Sequence, residues 1–127
     1  MDSEVADEEQ IANFVLESNK FRSDGSVHPN AFRPGRDGER SVMRINGLST
    51  EYVAATGQAF VGNLRDKKIL GWGELNVGAV RGSRALEVLS DVPPPRHALI
   101  KGWPSERDKQ DALTLFLASI TTPRRWP

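Results

Sequence analysis

The chain has 127 residues, of which 38% are hydrophobic and 27% charged, the profile of one folded domain and not of a disordered or membrane-embedded chain. Lys plus Arg and Asp plus Glu each number 17, so no global field draws it to nucleic acid. The absence of cysteine excludes disulfides, thiolate catalysis, thiolate-bound zinc and ordinary iron–sulfur ligation.

The first 18 residues carry six acids and no Lys or Arg. Ile11, Phe14 and Val15 recur at three and four, which predicts a helix over about 7–18. Asp7, Glu8 and Glu9 would favour its first turn, where the helix dipole is positive. The same acids offer a surface to a basic protein partner. This start has neither the basic patch nor the apolar run of a signal peptide, and no apolar stretch approaches a membrane span. A cytoplasmic protein with no membrane contact is expected.

Residues 20–40 form a long loop. Glycines 25, 35 and 38 and prolines 29 and 34 break any period. Loops of this length inside a compact domain are often functional. This one carries Arg22, Arg33, Arg36 and Arg40 with Phe21 and Phe32. Arg33 and Arg36 are its candidate contacts to an RNA backbone, with the rings as stacking platforms. Asp24, Asp37 and Glu39 dilute the charge.

Residues 41–45 (SVMRI) alternate as a short strand, with Val42 and Arg44 on one face and Met43 and Ile45 on the other. Arg44 needs a carboxylate if it turns inward, and Glu74, Glu87 and Asp91 are the candidates. Ser49 is an N-cap for a helix over about 50–63. In that helix Tyr52, Val53, Thr56, Ala59 and Phe60 mark a buried face, and Gly57 allows close packing on a sheet. Residues 69–80 and 85–89 read as strands around a turn at 81–83. Three prolines at 93–95 are stiff and extended, and residues 97–100 form a short apolar strand. Ser105 followed by Asp108 resembles a capping box ahead of a helix over about 106–120. Its buried stripe is Ala112, Leu113, Phe116, Leu117 and Ile120. Residues 1–6 and 122–127 are expected to be flexible ends. The tail Arg124-Arg125-Trp126 has the composition of an interaction hot spot.

With strands grouped after the second helix, the expected architecture is one α+β domain over 1–127. A mostly antiparallel sheet of about four strands is backed by two or three helices.

No phosphate-binding loop, HExxH, calcium loop or nucleophile elbow is present. Gly71-Trp72-Gly73 lacks the third glycine of a dinucleotide fingerprint. The carboxylates show no metal-ligand spacing, so neither metal nor cofactor is expected. The densest constellation is Pro95–Pro104, where Arg96, His97, Lys101 and Trp103 bracket an apolar strand that leads into a helix start. Such a stretch brings cations and main-chain N–H groups toward one anion, and Arg96, Lys101 and Trp103 are its candidate ligand contacts. The chain has two histidines, His28 and His97. Paired as general base and acid, with Arg44 or Arg96 on phosphate, they would suffice for metal-independent phosphodiester cleavage.

The segments SVMRINGLS (41–49) and PRHALIKGWP (95–104) together resemble a pattern in small uncharacterised bacterial proteins. The likeness covers about half the chain. It implies a bacterial cytoplasmic protein and assigns no catalytic residue. The leading functional expectation is an accessory or protein-binding domain acting through a partner. The alternative is a metal-independent nuclease or nucleotide-processing enzyme using His97 and His28, with arginines on phosphate.

Overall fold

The computed structural model describes residues 4–126. Its frame is one antiparallel sheet of six strands: β1 (Gln10–Val15), β2 (Arg40–Arg44), β3 (Gly71–Asn76), β4 (Glu87–Ser90), β5 (His97–Lys101) and β6 (Thr122–Arg125), in the spatial order β4-β5-β2-β1-β3-β6. The helices are α1 (Thr50–Gly57), the short α2 (Val77–Arg81) and α3 (Arg107–Ile120). The architecture is α+β with three helices, as the grouping of strands implied; the sheet has six strands where about four were expected.

Residues 10–15 are a central strand, not part of a helix. Between β2 and β3 both faces of β1 are covered. Ile11 and Val15 enter one hydrophobic cluster, while Ala12 and Phe14 enter the other. A strand buried on both faces reads as a continuous apolar run. In so short a run, apolar residues at three and four match a helix equally well.

The first face is formed by Ile11, Val15, Val42, Leu75, Val88, Ala98 and Ile100. It is sealed by Phe21, Val27, Ala31 and Phe32 from the long loop, by Val77 and Val80 of α2 and by Leu117 of α3. The long loop is thus a core-forming layer. The second face is narrower: Ala12, Phe14, Met43, Ile45 and Trp72 pack under Val53 and Ala54 of α1, with Ile69 and Trp126. Toward its β4 edge the cover thins, and Leu89 is 45% exposed there.

Ser49 accepts a hydrogen bond from Tyr52 N and caps α1 as expected. Beyond Gly57 the helical path continues as a single π-type turn (Gln58–Gly62) and a 3-10 turn (Asn63–Arg65). Gly57 is where α1 meets the sheet: a Cβ there would lie 2.5 Å from Phe14 Cζ and 2.7 Å from Cδ1. Four local expectations are corrected. Of the buried face expected on the 50–63 helix only Val53 is buried, while Tyr52, Ala59 and Phe60 are exposed. The 69–80 strand stops at Asn76, whose side chain caps α2 by accepting from Ala79 N. Helix α3 begins after Glu106 with no side-chain cap, so Ser105 and Asp108 form no capping box. The C-terminal tail pairs with β3 as β6, and Trp126 N donates to Leu70 O. Residues 1–3 and 127 lie outside the described residues, and Val5 is buried in the first cluster.

Arg44 finds its carboxylate in Glu9 and not in the three acids the sequence suggested. Its Nε lies 2.8 Å from Oε1 and its Nη2 2.7 Å from Oε2, a two-pronged pair with both side chains largely buried. These hydrogen bonds outweigh burial and hold the Glu9 carboxyl below its ordinary value of 4.5. A carboxylate lowered on folding adds stability above its unfolded pKa, and that stability is lost as pH falls through the folded value. Glu9→Gln is therefore expected to lower stability by about 1–2 kcal/mol at neutral pH. It should also flatten the acid limb of a melting-temperature-against-pH curve. An unchanged acid limb would show that the pair contributes nothing.

Candidate functional site

The sheet parts at its centre. Strands β1 and β2 pair only at Ile11↔Arg44 and Ala12↔Met43. Yet β1 stays paired with β3 down to Val15↔Gly71, and β2 with β5 up to Arg40↔Ile100. Each strand is held on its outer side while the inner edges, residues 13–15 and 40–42, have no pairing with each other. A cleft of about 490 Å³ opens at this split. Residues from both faces line it: Asn30, Ala31 and Arg40 from the first, and Phe14, Met43, Phe60 and His97 from the second.

Arg40 lies in the split. Its Nε donates to Asn13 Oδ1 at 2.7 Å, and Asn13 Nδ2 donates to Ala31 O at 2.9 Å. Asn13 is wholly buried, so its amide is a fixed bracket that orients the guanidinium. Nη1 lies 3.5 Å from Arg33 O, and Nη2 has no hydrogen-bond partner among the described residues. No carboxylate among the described residues pairs with Arg40. Burial lowers its pKa to about 10, and repulsion from Arg65 adds to the effect. A guanidinium carries five N–H donors, and a buried charge left unpaired is costly. Arg40, partly exposed, bears part of that cost with donors unused.

His97 projects from β5 on the second face, opposite Met43, and lines the cleft. Its Nδ1 lies 2.8 Å from Asp91 O and 3.1 Å from Asp91 Oδ2. Both oxygens accept, so Nδ1 carries a proton and Nε2 is the nitrogen left open. Ser41 also lines the cleft, but no hydrogen bond joins its side chain to His97.

The other residues singled out by sequence fall elsewhere. His28 caps a short 3-10 turn (Pro29–Phe32), its Nδ1 accepting from Asn30 N at 3.0 Å. It belongs to the layer over the first face and is not part of the cleft wall, so the cleft does not unite the two imidazoles. Arg44 is engaged by Glu9. Arg33 Nη2 pairs with Asp111 of α3 at 2.5 Å, while its Nη1 is buried without a hydrogen-bond partner. Arg36 is exposed in the loop. Arg96 turns the chain at φ 67°, and its carbonyl accepts from Arg44 N. Lys101 pairs with Glu39 at 2.8 Å. Trp103 packs on the first cluster and donates from Nε1 to Ile100 O at 3.0 Å. At the C-terminus Arg125 stacks over Phe21 at 4.4 Å, and Trp126 packs against Trp72. The tail is thus committed to the sheet.

Arg40 and Asn13 are the functional candidates that sequence reasoning missed. One signal pointed to Arg40: alternation places it in phase with Val42 on an inward-facing strand. Nothing local marked Asn13. Among the described residues no helix is long and apolar enough to cross a membrane, and no group of three or more His, Asp or Glu is placed to hold a metal ion. No family model, curated protein or solved structure matches this chain.

Proposed function

We propose that this chain is a small accessory binding domain whose central cleft takes the acid group of an organic ligand, with Arg40 as counter-ion. One observation carries the reading: a partly buried guanidinium with unused donors and no carboxylate partner among the described residues lines a cleft of about 490 Å³. A cation held this way is poised for a charge-assisted, forked contact to a carboxylate or phosphate. In this reading the domain reports occupancy of the cleft to a partner protein. The test is a titration of the full chain with acetate and with inorganic phosphate, followed by NMR at the Arg40 Nε and Asn13 Nδ2 resonances. Saturable shifts at both are expected; no shift with either anion would overturn the reading.

A second reading is favoured by the open Nε2 of His97. With Arg40 on phosphate and His97 Nε2 taking the proton of an attacking water, the cleft would hydrolyse a phosphate ester without His28, Arg44 or Arg96. The P–O bond to the leaving alcohol would break as that oxygen takes a proton from His97 or solvent. It predicts turnover of a simple phosphodiester that His97→Ala abolishes while anion binding persists. Binding without turnover in the unaltered chain would eliminate it.

A further inference from the structure

The cleft is far larger than an acid group needs, and part of its remaining wall is apolar. Phe60 and Leu64, one turn apart on the path continuing α1, are 43% and 81% exposed and line one side. Met43 and Leu16 line the cleft as well, with Pro94 and Pro95. Side chains as apolar as Phe60 and Leu64 gain when a ligand body removes them from water. An apolar stretch beside polar groups that fix orientation is a common feature of small-molecule sites.

Charge selects among anions. The cleft carries three cationic side chains, Lys20, Arg40 and Arg65, against three acids, Glu17, Asp37 and Glu39. The balance is neutral, and the acids would repel a ligand of several negative charges. Of these, Arg40 is the cation whose charge burial desolvates, and no carboxylate among the described residues pairs with it. Polyphosphates and nucleic acid backbones are therefore disfavoured, because they need a field of one sign.

From this we infer the ligand class: an amphipathic organic acid with one acid group on Arg40 and an apolar body lying against Phe60 and Leu64. The inference rests on the proposed binding role and narrows it. Carboxylate and phosphate monoester heads share the required chemistry, and the test separates them.

The experiment measures binding of acetate, octanoate, phosphate, phenyl phosphate and ATP to the full chain by NMR titration. Each buried methylene is worth about fourfold in affinity, so octanoate is expected to bind at least tenfold tighter than acetate. Phenyl phosphate should exceed phosphate in the same way, and ATP should bind more weakly than phenyl phosphate. Acetate against phosphate, heads without a body, identifies the preferred head. Phe60→Ser and Leu64→Ser alter exposed side chains and should fold. They are expected to erase the advantage of the tailed acids and leave acetate and phosphate binding intact. Equal binding of tailed and untailed acids, tighter binding of ATP, or indifference to both substitutions would overturn the inference while the Arg40 reading stands. Failure of every anion to bind would defeat that reading and the inference with it.

Discussion

Gly57→Ala is expected to destabilise the domain by about 3 kcal/mol, equivalent to about 10 °C in melting temperature for a chain of this size. The methyl group would enter the Phe14 ring, whose Cζ lies 2.5 Å from the Cβ position. Phe14 has little room to yield. It is 8% exposed, and its ring meets Trp72 edge-on at a centroid distance of 6.0 Å. Helix α1 is held from the other side as well. Gln58, the next residue, donates from Nε2 to Lys67 O at 2.9 Å and accepts from Ile69 N at 3.0 Å. Helix propensity alone would make this substitution favourable by about 1 kcal/mol, so sign as well as size is tested. A thermal melt equal to or above that of the unaltered chain would show that α1 slides freely over the sheet. Because Phe14 also lines the cleft, the same variant should bind acids more weakly.

Arg40→Met is expected to weaken binding of an acidic ligand about 100-fold, the loss of a forked, charge-assisted contact. The same substitution should leave the melting temperature within about 5 °C of the original, for two opposing reasons. Methionine removes a desolvated charge, which is stabilising by about 1–4 kcal/mol when the site is dry. Against that, the buried Asn13 Oδ1 loses its donor, at about 1–3 kcal/mol. Near-cancellation separates a binding role from a structural one. A structural arginine would give a large fall in stability, and a solvated one would change neither quantity. Arg40→Lys should fall between in affinity, since an ammonium keeps the charge and loses the fork. Full binding by Arg40→Met, measured by NMR titration or calorimetry, would remove Arg40 from the site.

The elements best read from sequence were those whose signals are local. Ser49 caps α1 because its hydroxyl meets an N–H three residues on, and the stripe Leu113, Phe116, Leu117, Ile120 marks α3 through its own periodicity. Gly57 announced a close approach because only a missing side chain permits one. The N-terminal segment failed for the opposite reason: what covers β1 lies far along the chain. A strand sandwiched between Leu117 and Phe32 on one side and Val53 and Ile69 on the other has no polar face to reveal its period.

Composition and charge by themselves determined a cysteine-free, electrically balanced domain, the order of local patterns marked it as α+β, and the absence of any fingerprint motif kept attention on His, Arg and carboxylate side chains. Which of these would matter was decided only by tertiary structure. Glu9 and Arg44 are 35 positions apart, Asn13 and Arg40 are 27 apart, and His97 reaches the same cleft from a fifth strand. Pairing energies of this kind depend on distance and burial, and the sequence encodes neither for side chains so far apart. The stretch Arg96–Trp103, the densest motif by composition, contributes His97 to the cleft and otherwise serves the sheet. The long loop, read for its arginines, supplies core through Phe21, Val27, Ala31 and Phe32 and ends beside Arg40. The split between β1 and β2 arises only when both strands are held from outside, by β3 and β5, and it is there that a partly buried cation is left with donors to spare.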